Sequence, residues 1–496
     1  MLRGTHLERV HRRGRVGVRG EIVSLECDVG GDGGTGRHAL ALRKVGRGHF
    51  PVRRRLSPTA VLQRGRETRG TPNLRRRGTR LGIALRWIER RALPVAPWLL
   101  AASVVGGLFL LVQGDHRAMF DLRVYHDAPP SLLTSRLYEF TYSEFTPDFP
   151  LPFTYPPFAA MVLLPLSALP WMLARAVWYA GLLLCVWYLV RTSFRLVAGE
   201  RWASDRDRWQ RWAMLTVAVL LWAEPIRSNF YFGQINLPLA ALLMAGMIGA
   251  RSSLAGASVG LAAGVKLTPA VSGLYFLVTR RWAAAAWSAG VFAATVGLGW
   301  LVSADQSRRF WFELLGDAGR VGPVGSAINQ SLRGALSRTL GYDVGMGLPW
   351  VVAVVAVSVL TGFALRAAVR AGDTLATLVA VQVFGLLVSP ISWMHHWVWL
   401  LPTVVWLMFG PERRHAPARV ALVAWMVALF SYVISKLLQA QPSIWVIPRP
   451  WYLSALGWVY PACAVLTLAA VAVAVRPRVA DAPEFAPVAR GEGLPA

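Results

Sequence analysis

From about residue 93 onward, apolar blocks close to the ~20 residues needed to cross a bilayer follow one another, separated by short polar segments. The pattern predicts spanning helices near 94–113, 172–190, 212–224, 234–250, 283–303, 346–369, 374–390, 396–410, 418–437 and 452–475. Two stretches fit less simply. Residues 155–170 are apolar but short and carry Pro156, Pro157, Pro165 and Pro170, which suits a helix at the interface or one that enters only part way. Residues 252–279 are too long for one untilted span and are interrupted at Lys266-Leu267-Thr268-Pro269, which predicts two short helices meeting at a polar tip. Residues 1–92 have no sustained apolar periodicity and read as a disordered arm, 93–476 as the transmembrane domain, and 477–496 as a tail.

Composition turns this pattern into a class. Hydrophobic residues make up 55% of the chain and charged residues 16%, against roughly 25% charged in an average soluble domain. The expected fold is therefore an all-α polytopic membrane protein. The formal charge of +27 would elsewhere suggest nucleic acid. Here the basic residues fall between apolar blocks, where they act as orientation signals, and no nucleic-acid partner is expected. Cys27, Cys185 and Cys463 lack the spacing of a disulfide framework or metal cluster, so no metal is expected. The arm, with Arg53-Arg54-Arg55 and Arg75-Arg76-Arg77, reads either as a basic segment for anionic lipid or nucleic acid, or as an upstream stretch included by an early start codon.

Lys and Arg concentrate on the cytoplasmic side of membrane proteins. That places the arm, Arg191–Arg211, Arg251, Arg280-Arg281, Arg366–Arg370, Pro411–Arg419 and the tail inside. The assignment closes if 155–170 does not cross and 252–279 crosses twice, which gives about twelve crossings with both termini cytoplasmic. The more specific polar residues then collect on the outer face: Asp121-Leu-Arg123-Val-Tyr125, Thr154-Tyr155-Pro156-Pro157, Glu224-Pro-Ile-Arg227, Gly233-Gln-Ile-Asn236, Asn329-Gln330-Ser331-Leu-Arg333 and Ser389-Pro-Ile-Ser-Trp-Met-His395-His396, with Lys266 within reach. Ionisable groups at membrane depth usually face a cavity and do chemistry or transport. Plainer readings stand beside each: Asp121 paired with Arg123, Lys266 snorkelling, the histidines in an aromatic belt with Trp393, Trp397 and Trp399, and Glu224 paired on the surface with Arg227.

In order and wording, Asp121-Leu-Arg-Val-Tyr, Phe153-Thr-Tyr-Pro-Pro-Phe158, Gly233-Gln-Ile-Asn-Leu237, Lys266-Leu-Thr-Pro269, Asn329-Gln-Ser-Leu332 and Ser389-Pro-Ile-Ser-Trp393 followed by His395-His396 resemble glycosyltransferase family 87 over roughly residues 94–475. This is an actinobacterial group of polyprenyl-phosphate-mannose-dependent α-1,2-mannosyltransferases with the GT-C membrane fold. The resemblance implies a multi-pass protein of a bacterial plasma membrane with its active site facing outward. Its partners would be a polyprenyl-phosphate-linked sugar, a glycolipid or lipoglycan acceptor and the bilayer, and it would need no cofactor. Carried onto this chain, Asp121 becomes the general base, and Lys266 and His395 lie near the donor phosphate; if the adjacent histidines lie on a helix only one can face the cavity, and His395 is favoured as the catalytic one, with Arg333 and His396 as further phosphate partners. Arg123, Tyr155, Glu224, Asn236, Asn329 and Gln330 become substrate-positioning residues. Many GT-C families carry a second acid beside the first; here the neighbour is Leu122, which fits a monophosphate donor neutralised by cationic side chains.

Chemistry gives the same division of labour. A phosphate is already a good leaving group, so transfer needs a base for the incoming hydroxyl and positive charge for the departing oxyanion. Attack in line inverts a β-linked donor into an α-linked product. Two other readings remain: an arabinofuranosyltransferase of the same family, and a polytopic lipid transporter, for which a broken helix around a charge is also typical.

Overall fold

The computed structural model describes residues 14–18, 21–25, 87–113, 119–144, 150–441 and 443–474. Within the arm it contains an antiparallel hairpin of β1 (Gly14–Val18) and β2 (Glu21–Leu25), which belongs to a unit, residues 1–74, distinct from the helical body. The rest of the arm up to residue 86, and the tail from 475, lie outside the described residues, and with them most of the expected disorder.

The body is a helical membrane protein, and its helices follow the apolar blocks. In chain order they include α1 (Ala96–Gln113), α2 (Phe120–Asp127), α3 (Pro157–Ser167), α4 (Trp171–Ala198), α5 (Arg206–Leu220), α6 (Glu224–Phe232), α7 (Asn236–Ile248), α8 (Ser252–Val265) and α9 (Trp282–Val302). There follow α10 (Leu332–Leu340), α11 (Leu348–Arg370), α12 (Thr374–Val388), α13 (Leu400–Phe409), α14 (Ala416–Phe430), α15 (Val433–Gln439) and α16 (Val459–Ala474). Among the described residues, α4, α9 and α11 are long and apolar enough to cross a membrane, and the bent pairs α6–α7 and α14–α15 raise the number to five. Several other apolar helices have 10–17 residues.

Differences from the expected spans have local causes. The block at 212–224 starts earlier, at Arg206, because the helix extends through a polar first turn. The block at 396–410 is a 3₁₀ turn, Met394–Trp399, followed by α13. The block at 234–250 is preceded by α6, and the two helices meet at 115°. That corner requires Gly233. Its φ is 71°, and a Cβ there would lie 2.5 Å from the Cβ of Leu122. The bare backbone therefore lets α2 close onto the corner, one residue away from Gln234. The break at Lys266 is present: α8 stops there, and a 3₁₀ turn, Thr268–Ser272, begins two residues later.

α8 lies against α9 along a seam of glycines. A Cβ on Gly256 would meet the carbonyl oxygen of Ala284 at 2.3 Å, one on Gly260 that of Ser288 at 2.7 Å, and one on Gly264 the Thr295 side chain at 2.3 Å. Small residues four apart let backbones approach where lipid offers no competing hydrophobic force. The seam holds α8, and hence Lys266 at its C-terminal end.

Candidate active site

Polar side chains converge where α2, the α6–α7 corner, the end of α8 and the 394–399 turn meet. Gln234 donates its amide NH₂ to the carboxylate of Asp121 and, through Oε1, accepts from the Tyr125 hydroxyl at 3.2 Å and from Asn236 Nδ2 at 3.2 Å. Asn236 in turn accepts from the ammonium of Lys266 at 2.8 Å. Lys266 Nζ is 3.2 Å from His396 Nε2 and lies over the ring of Tyr155, whose hydroxyl is 2.9 Å from that of Tyr125. One hydrogen-bonded chain thus runs from the carboxylate of Asp121 to the ammonium of Lys266 and the imidazole of His396.

Asp121 sits in the first turn of the short helix α2, outside the spans. Burial pushes its carboxyl up to about 7, against the Gln234 hydrogen bond and the Lys266 charge, which both pull it down. A carboxylate poised there suits proton abstraction near neutral pH. Its plainer role as the partner of Arg123 is taken by another residue: Arg123 pairs with Asp127 at 2.7 Å and stacks on Trp171.

A cavity of 640 Å³ opens beside Lys266 and His396. Its wall is largely apolar, with Leu267, Val271, Leu314, Met346, Trp350 and Val388 among its lining residues. Lys266 and His396 thus share the cavity lining with a mostly apolar wall. Arg320, which the sequence reading did not single out, also lines this cavity, donating to the Phe153 carbonyl at 3.0 Å and stacking on Tyr138.

Of the sequence-derived residues, the structure brings together Asp121, Tyr155, Asn236, Lys266 and His396. It separates others. His395, expected near the donor phosphate, is 4% exposed, packs on Phe232, and has no partner for either ring nitrogen among the described residues. In a 3₁₀ turn adjacent side chains diverge by roughly 120°, so only one of the pair can face the cavity, and it is His396. His395 supplies its carbonyl, which accepts from Asn229 at 2.7 Å and Asn236 at 3.0 Å. Arg333 lines the cavity but forms a two-pronged pair with Asp343 at 2.9 and 2.7 Å, which neutralises the charge expected for phosphate.

Glu224 is 2% exposed and does not meet Arg227; it accepts from the backbone and hydroxyl of Ser435 and from Tyr460, tying α6 to α15 and α16. Asn329 and Gln330 are fully buried. Asn329 donates to the carbonyls of Val324 and Pro390 and accepts from the Ser392 amide; Gln330 donates to the Ala327 carbonyl and accepts from the Tyr460 amide. Both are internal clamps that hold the 390–394 segment in place beneath the histidines. Gln234 was legible only as one letter of the Gly-Gln-Ile-Asn motif, since its partners Asp121 and Tyr125 lie more than a hundred residues away.

The family model for glycosyltransferase family 87 matches residues 153–390. A polyprenol-phosphate-mannose-dependent α-(1-2)-phosphatidylinositol pentamannoside mannosyltransferase of Mycolicibacterium smegmatis is 45% identical over 76% of this chain and 91% of its own length. The chain belongs to glycosyltransferase family 87. It is a membrane glycosyltransferase. The protein of the same description from Mycobacterium tuberculosis is 44% identical, over 77% of this chain and 88% of its own. A phosphatidylinositol mannoside mannosyltransferase from M. tuberculosis is 34% identical, over 80% and 94%. No solved structure matches.

The two histidines of this glycosyltransferase can be told apart by experiment. His396→Ala removes the ring nitrogen that lies 3.2 Å from the ammonium of Lys266, and initial rates of transfer should fall by roughly tenfold to a hundredfold. His395→Phe keeps the carbonyl and the ring contacts, so its rate should stay within about a few-fold of the parent. The reverse ranking would return His395 to the cavity.

Proposed function

We propose that this chain transfers a mannosyl residue from a polyprenol-phosphate donor, with inversion, to a phosphatidylinositol mannoside acceptor. The observation that carries the reading is the pairing of a half-buried carboxylate, Asp121, with a largely apolar cavity lined by Lys266, through one hydrogen-bonded chain. The choice of mannose and of this acceptor follows the relatives, whose names specify both.

In the proposed reaction Asp121 takes the proton of the acceptor hydroxyl as its oxygen bonds to the anomeric carbon. The bond from that carbon to the phosphate oxygen breaks, and the electron pair leaves with the polyprenyl phosphate, which Lys266 and His396 receive. The lipid-phosphate sugar is itself the activated species, and the step uses no cofactor. Tyr155 and Asn236 hold Lys266 in place between donor and base. Both lipids enter from the bilayer, so much of the rate comes from holding them in register. We further place the site on the outer face of a membrane crossed about twelve times, on the one-sided distribution of basic loops, and take the GT-C fold and the bacterial plasma membrane from the family resemblance.

Membranes carrying the chain, given polyprenol-phosphate mannose and a phosphatidylinositol mannoside, should yield by mass spectrometry an acceptor heavier by one hexose. A pentose gain with a decaprenyl-phosphate arabinose donor, and no hexose gain, would replace mannose with arabinofuranose. No gain with either donor would overturn the proposed pairing of donor and acceptor.

A further inference from the structure

A second cavity, of 320 Å³, lies at the opposite end of the helices. Its place follows from chain direction. α4 begins at Trp171, beside Arg123 and the helix of Asp121, and ends 28 residues later, roughly 42 Å along. α13 leaves the histidine turn and ends at Phe409. Around these far ends stand Arg201, Arg208 and Arg413, with Trp209, Trp212 and Phe409 forming an aromatic wall.

The arginines are not equivalent. Arg208 is neutralised by Glu89 and by Asp205, the latter at 3.2 Å. Arg201 and Arg413 have no carboxylate partner among the described residues. Arg201 donates only to the Ala198 and Val197 carbonyls that end α4, at 3.3 and 3.4 Å, and Arg413 only to the Gly410 carbonyl at 3.2 Å. They are also close enough to repel: burial and the charges of Arg414 and Arg201 hold the Arg413 guanidinium below its usual range. Two like charges at a cavity mouth, with remaining N–H groups unspent, form an incomplete arrangement that an anion completes.

We propose that this pocket binds the phosphate of an anionic phospholipid headgroup, at the end of the molecule remote from the reaction. A phosphate ester could also come from a soluble metabolite. The aromatic wall and the position at the ends of apolar helices favour the lipid, since tryptophans at such ends lie at headgroup level and basic pockets between helices there select anionic lipids. The site rests on none of the residues of the proposed transfer reaction.

The test uses the full chain in a neutral detergent, with melting followed as lipid is added. Dioleoyl phosphatidylglycerol should raise the Tm by about 3 °C or more, and dioleoyl phosphatidylcholine should raise it by less than about 1 °C. Arg201→Gln with Arg413→Gln should abolish most of the rise, while Arg201→Lys with Arg413→Lys keeps part of it. If the double variant does not survive purification, Arg201→Gln alone, at an exposed position, should show a reduced rise. An equal rise with phosphatidylcholine, or an undiminished rise in the glutamine variants, would overturn the site. An equal rise with soluble glycerol phosphate would overturn the lipid as its occupant.

Discussion

Asp121→Asn should lower turnover by roughly 10²–10⁴-fold while leaving donor affinity within about a few-fold. The amide can still meet Gln234 and keeps the shape of the corner, but it cannot take a proton. The parent enzyme should also reveal the base through its pH profile. With the carboxyl raised to about 7, the group is protonated and inactive below that pH and ionised above it, so kcat/KM should climb as pH rises through about 7. The asparagine variant should lose this limb. A variant with parental turnover, or a profile still rising in its absence, would assign the base to another group.

Lys266 should behave differently. It is 8% exposed and faces the cavity that we assign to the donor phosphate. Removing one member of a buried charge pair costs about 2–5 kcal/mol, so Lys266→Ala should weaken binding of the polyprenyl-phosphate sugar by roughly two to three orders of magnitude and slow transfer as well. Lys266→Arg should retain part of both, because the charge survives while the fit to Asn236 and His396 does not. Donor affinity measured in the Asp121 and Lys266 variants side by side decides the matter. Equal losses would mean that base and clamp form one undifferentiated polar cluster.

Runs of apolar residues made most helices of the body legible, and the Lys-Leu-Thr-Pro interruption located the break from which the lysine projects. These are local signals, carried by consecutive residues. What escaped depends on partners far along the chain. Nothing near Glu224 announces Ser435 or Tyr460. Asp343 is only ten residues from Arg333, but it lies past the end of α10, so no helical spacing pairs the two. The histidine pair was visible, but a helical period says only that the two rings diverge; which of them faces the cavity depends on how the 394–399 turn is set against its neighbours. Arg338 was missed for a similar reason: it is 1% exposed and spends its donors on the carbonyls of Ser326, Asn329 and Gly457, a fully interior role for a residue type that sequence patterns place on surfaces.

The glycine seam bears on how two long lipids reach one chamber. Backbones in such close contact cannot part without losing the whole interface, so α8 and α9 stay together as one rigid pair and hold Lys266 at the end of α8. Part of the cavity lining is of another kind: it comes from Leu314–Val321, Met346 and Trp350, and there Leu315, Val321 and Met346 are exposed. On the donor assignment proposed above, the prenyl chain enters on that side, and a lysine held still by the glycine seam meets each phosphate at the same depth.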